Sequence, residues 1–168
     1  MSFSSQLKSI YSGHSRWVSR PGVNNELVNG NTVNLFTVQP AGDVQLDAIF
    51  GIVTTQIGAF ATTVQFRILP TFATGAPAQQ AISAASGAGV LTGSLVSTPV
   101  LVADGLGGAI TIEATYGVAV GFALMATQRV LTPGVINILI GGANATGAID
   151  WYLAYTPVAD GARITPLP

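Results

Sequence analysis

From residue 32 onward the chain alternates. In TVNLFTVQ (32–39), Val33, Leu35 and Thr37 fall on one face of an extended chain. In DVQLDAIFGIVTTQ (43–56), Val44, Leu46, Ala48, Phe50 and Ile52 fall opposite Gln45, Asp47, Ile49, Gly51 and Val53. TTVQFRIL (62–69) sets Val64, Phe66 and Ile68 against Gln65 and Arg67. AITIEATYGVAVGFALM (109–125) sets Ile110 and Ile112 against Thr111 and Glu113, then aligns Val118, Val120, Phe122 and Leu124. VINILI (135–140) and AIDWYLAY (148–155) complete the set. A repeat of two belongs to strands, because successive side chains point to opposite faces; a helix would repeat every 3.6 residues. The runs are rich in β-branched and aromatic residues and are separated by Gly and Pro, which predicts antiparallel strands. Only AQQAISAASGAGVLT (78–92) has the composition for a short helix. The expected fold is all-β: one antiparallel β-sandwich, jelly-roll-like, over residues 31–168.

The second faces of these strands are unusual. Ala119, Gly121 and Ala123 occupy positions where a water-facing strand would carry charged residues. The whole chain is 49% hydrophobic and 8% charged, against about 25% charged in an ordinary soluble domain. A compact monomer of this size exposes roughly 7,800 Å², which leaves roughly 600 Å² for each charged residue. Such a surface would be adhesive if all of it met water. Much of it is therefore expected to meet protein, and the chain reads as an assembly subunit.

Charge is also unevenly placed. Lys8, Arg16 and Arg20 are half of the six cations, and the first 20 residues hold no acid. That segment carries +3 and the rest of the chain −4, for a net −1. It is Ser-rich, lacks periodicity and runs into RPGVNNELVNGN, which is dense in turn formers. Residues 1–30 are expected to be an extended N-terminal arm. Phe3, Tyr11 and Trp17, together with Lys8, Arg16 and Arg20, are its candidate partner contacts; Ile10 adds to its apolar side chains.

Reactive groups are scarce. The single histidine, His14, lies in the arm, and no G-x-S-x-G elbow occurs, so Ser–His nucleophilic catalysis has no visible machinery. With no cysteine there is no thiolate site and no disulfide framework, and zinc lacks a ligand set. Asp43, Asp47 and Asp160 do not form the alternating oxygen run of a calcium loop. Asp47, Glu113 and Asp150 could supply a carboxylate pair for glycoside hydrolysis, but Asp47 and Glu113 sit on polar strand faces where acids meet water. The glycines at 87–89 and 105–108 match no phosphate-binding fingerprint. Asn144-Ala145-Thr146 fits a glycosylation sequon without a visible secretory leader. YGVAVGFALMA (116–126) is too short to span a bilayer, and the net charge of −1 does not suit a nucleic-acid binder. The expectation is a non-enzyme with no cofactor, no metal, no membrane and no nucleic acid.

In AIDWYLAY, Ile149, Trp151, Leu153 and Tyr155 share one face, and Asp150, Tyr152 and Ala154 the other. This makes Trp151 a core residue and Tyr152 a contact candidate. Pro157 and Asp160-Gly161 then predict a tight reversal before a last short strand.

Two stretches carry a resemblance. GDVQLDAIFGIVTTQIGAFATTVQFRILPT and PGVINILIGGANATGAIDWYLAYTPVADGARI resemble a recurring type of small tailed-bacteriophage virion protein. The matching positions are Gly42, Val44, Gly51, Val53, Thr54, Thr55, Ile57 and Gly58, then Thr146, Gly147, Trp151, Leu153, Tyr155, Pro157, Asp160, Gly161 and Ala162. The similarity covers about residues 40–75 and 105–165 and leaves the arm and residues 76–104 unmatched. It implies a structural component of the particle, such as a decoration or cement protein on the capsid exterior, with the major capsid protein as partner and no catalytic residues. On such a shell the chain is expected to be a homo-oligomer, a trimer at quasi-threefold positions. The alternative is a tail or fibre recognition module that binds host polysaccharide through exposed aromatics such as Tyr116 or Tyr152.

Overall fold

The computed structural model describes residues 15–59, 61–71, 78–102, 110–112 and 129–168. These contain eleven strands: β1 (Arg16–Arg20), β2 (Thr32–Val38), β3 (Val44–Thr55), β4 (Thr62–Pro70), β5 (Gln80–Ala81), β6 (Pro99–Val102), β7 (Ile110–Ile112), β8 (Arg129–Leu131), β9 (Gly134–Gly142), β10 (Ala148–Pro157) and β11 (Ile164–Pro166). No helix occurs among the described residues. The alternating runs at 32–39, 43–56, 62–69, 135–140 and 148–155 became β2, β3, β4, β9 and β10. Of the run at 109–125, Ile110–Ile112 forms β7; positions 113–125 lie outside the described residues, as do Glu113 and Tyr116.

All pairings are antiparallel, in two sheets. The first runs β1-β10-β3-β6-β7, with β8 also on β3; the second runs β11-β2-β9-β4-β5. The rungs β4·β5, β3·β6, β2·β9 and β1·β10 are those of one long hairpin whose strands pass alternately to the two sheets. A hairpin rolled up in this way is the jelly roll, which leaves two packed sheets and few free edges.

Between the sheets the apolar sides of the strands meet. Val64, Phe66 and Ile68 of β4, Ile136, Ile138 and Ile140 of β9, and Ile149, Trp151, Leu153 and Tyr155 of β10 are all buried in one core. Trp151 meets Phe66 of the opposite sheet edge-on, ring centroids 5.2 Å apart. Its partner across the strand pair is Gly51. A Cβ on Gly51 would stand 2.7 Å from the indole ring and 2.5 Å from Ile149 Cγ2, so the missing side chain makes room for the tryptophan. The reversal after β10 closes at Gly161, φ +78°, with Ala162 N donating to Ala159 O at 3.1 Å. That positive φ at the third position is what a type II turn asks of glycine.

The register shifts at three bulges: one at Thr54, near the end of β3, and two within the strands. On β10, Ala154 faces Ala48 but Tyr155 faces Leu46, so Asp47 is an extra residue on β3. A bulge inverts the in–out phase beyond it. Val44 and Leu46 are core residues, but so are Ile49 and Val53; Phe50 and Ile52, which the spacing puts on the face of Val44 and Leu46, are turned to the outer face. In β2 the extra residue is Leu35, between Asn34 (opposite Asn137) and Phe36 (opposite Ile136). Phe36 and Val38 therefore join Leu35 in the core, and Thr37, which the spacing puts on the face of Leu35, does not.

The segment 78–92 is not helical. Its backbone serves the free side of β4: Ile82 N and Ser86 N donate to Phe66 O and Val64 O at 2.9 and 2.8 Å. The hydroxyls of Ser83 and Ser86 accept the returning amides of Phe66 and Val64, each at 3.0 Å. Ile82 and Leu91 are buried in the core. Sheet hydrogen bonds and apolar anchoring outweigh a weak helical propensity.

Candidate contact surfaces

On β1, Trp17 stands opposite Ala154 and Ser19 opposite Tyr152; Tyr152 in turn stands opposite Phe50 on β3. All lie on the outer face of the first sheet. Phe50 and Tyr152 are stacked, 5.1 Å between centroids at 12°, and Trp17 meets Phe50 edge-on at 5.9 Å and 72°. Phe50 is covered by its neighbours, whereas Trp17 is 60% exposed. The three rings form one aromatic ridge, and the bulge at Asp47 is what brings Phe50 into it.

That bulge also places Asp47 within a polar cluster. Its Oδ2 accepts from Ser15 Oγ at 2.9 Å and Thr156 Oγ1 at 2.8 Å; its Oδ1 accepts from Gln45 Nε2 at 2.9 Å. The carboxylate is buried and held by donors from β3, β10 and the residue preceding β1. It does not face water, as its place on a polar strand face had suggested. On the same face, Asp150 Oδ1 accepts from Gly22 N at 2.7 Å.

The candidate contacts of the N-terminal segment divide. Phe3, Lys8 and Tyr11 lie outside the described residues. Arg16 is exposed but stands opposite Tyr155, on the other side of the strand from Trp17. Arg20 is a correction. Its side chain is 4% exposed and forms a bidentate ion pair with Glu26. Its Nε donates to Leu167 O at 3.1 Å and its Nη2 to Pro168 O at 3.3 Å. This guanidinium is committed to its own chain and is not available to a partner. The boundary of the arm moves for the same reason: β1 is the edge strand of the first sheet, so residues 16–20 belong to the sandwich. Trp17 and Tyr152 are thus joined through Phe50, which period-two counting puts on the face of Val44 and Leu46.

At the opposite side, β4 and β5 of one sheet approach β8 of the other around a groove of about 430 Å³. Sequence gave no signal for it, because it joins residues near 70–82 with residues 129–132. Among the described residues, no three of His, Cys, Asp and Glu gather as metal ligands.

No protein-family model and no curated protein sequence matches this chain. Among solved structures, it is similar to a chain in the structure of infectious bursal disease virus Gx strain, with 10% identity and a TM-score of 0.30. That match covers 92% of this chain and 42% of the other, so this chain spans less than half the length of its neighbour. A superposition at that score carries no argument about fold or role.

Proposed function

We propose that this chain is a structural protein of a tailed-phage particle, one that decorates and stabilises the capsid by binding, as a homotrimer, between major capsid protein subunits. The observation that carries the reading is the aromatic ridge. Trp17 stands largely exposed beside Tyr152 and Phe50, and the acids of that face, Asp47 and Asp150, are already hydrogen-bonded within the chain. Trp and Tyr anchor protein interfaces because they bury much area at little cost in side-chain freedom. The charge-poor composition and the resemblance of the two hairpin stretches support the same reading. The jelly roll serves viral capsid and lectin domains alike, so topology does not choose between them.

The test is stoichiometry and attachment. Purified particles should carry the chain in fixed ratio to the major capsid protein, and Trp17→Ala should weaken binding to undecorated particles by about thirtyfold, the scale of a lost aromatic anchor. Absence from particles overturns the reading. A second reading, recognition of host polysaccharide, is favoured by one feature: Ser19 shares the outer face with Trp17, two residues away on its strand, and with Tyr152 opposite. Loss of glycan binding in Trp17→Ala, with capsid attachment intact, would select it.

A further inference from the structure

The groove between β8 and the β4–β5 edge has an apolar floor formed by Ile68, Ile82 and Leu131, all buried, with Pro70 beside them. Arg129 stands in its wall, opposite Leu46 on the side of the first sheet that faces the second. Its Nη1 donates across the groove to Ala81 O at 2.5 Å. Its Nε is buried and has no hydrogen-bond partner, and among the described residues no carboxylate pairs with it. Partial burial lowers its pKa below the usual arginine range, with desolvation as the cause. A partly desolvated cation is better compensated by an anion than by one neutral carbonyl. Arg20 follows that rule with Glu26; Arg129 does not.

We propose that this groove binds a small aliphatic carboxylate, its headgroup on Arg129 and its hydrocarbon body on Ile68, Ile82 and Leu131. The guanidinium presents the Nη end of its planar fork to the groove, and charge-assisted hydrogen bonds from there to a carboxylate are the strongest it can make. An apolar floor selects an anion with a hydrocarbon tail over a fully hydrated ion. A volume of about 430 Å³ lies at the small end of the range for small-molecule sites. The site is independent of the aromatic ridge and of the capsid reading.

The experiment is a titration of the full chain, methyl-labelled, with octanoate, acetate and octan-1-ol, followed by NMR. Octanoate should shift the methyls of Ile68, Ile82 and Leu131 saturably. Acetate, which has the charge without the body, and octan-1-ol, which has the body without the charge, should each bind about tenfold more weakly or worse. Arg129→Gln should weaken octanoate by at least about tenfold, the scale of a lost charged hydrogen-bonded contact. Arg129→Lys, which keeps charge but loses the fork, should fall between and serves if the glutamine variant disturbs the unliganded spectrum. The proposal is overturned by any of three results: no saturable shift with octanoate, equal affinity for octan-1-ol, or octanoate affinity unchanged in both Arg129 variants.

Discussion

The two flanks of the sandwich each carry an arginine between the sheets, and the two are treated differently. At the β1–β11 flank, Arg20 gathers Glu26 and the carbonyls of Leu167 and Pro168, so that the edge of one sheet, the 21–31 loop and the end of the other sheet meet on one guanidinium. At the β5–β8 flank, Arg129 reaches a single carbonyl, Ala81 O, and borders an open groove. The same residue type is a clasp where its donors are matched and a binding group where they are not. What separates them is a carboxylate within reach: Glu26 lies six residues from Arg20 in a turn that folds back on it.

That contrast can be broken by mutation. Trp151→Ala, in the core between the flanks, sets the scale and should cost about 3–5 kcal/mol in urea unfolding, with capsid or ligand binding secondary to the loss of fold. Arg20→Ala should cost a comparable or slightly smaller amount, about 3–4 kcal/mol, because it strands a largely buried Glu26 carboxylate and two carbonyls. Removing Leu167 and Pro168 should cost about 1–3 kcal/mol, since the ion pair survives and only its carbonyl acceptors go, with the Leu167 N to Leu35 O bond. Arg129→Leu should be smallest, within about 1 kcal/mol of the parent, because it gives up one exposed hydrogen bond to Ala81 O and no ion pair. If Arg129→Leu destabilises as much as Arg20→Ala, both arginines are structural clasps and the distinction between the flanks falls.

Much of this architecture was legible where the strands are regular. In β4 and β10 the alternation named the right buried faces, including Trp151 inside and Tyr152 outside. It was illegible at Asp47 and Leu35, because a bulge adds a residue without changing the local composition, and every position beyond it then counts on the wrong side. The place of Phe50 on the outer face was hidden for that reason. Arg20 was misjudged for another: sequence shows a charge but not its partner, and two of its acceptors lie at the far end of the chain. The groove at Arg129 depends on strands far apart in sequence being neighbours, which only the rolled topology brings about.

The rolled hairpin also dictates an order of events during folding. Its inner rung, β4 with β5, joins residues about a dozen apart, while its outer rung pairs Arg16 with Tyr155. Loop closure of that length is entropically expensive and gives no return until the intervening strands are in place. On a ribosome, β1 therefore waits for β10, and Trp17 has no stacked Phe50–Tyr152 surface to rest against until β10 has emerged. The aromatic ridge is the last feature of the first sheet to be completed, so a chain able to dock through it is one in which β10 has already been made and rolled into place.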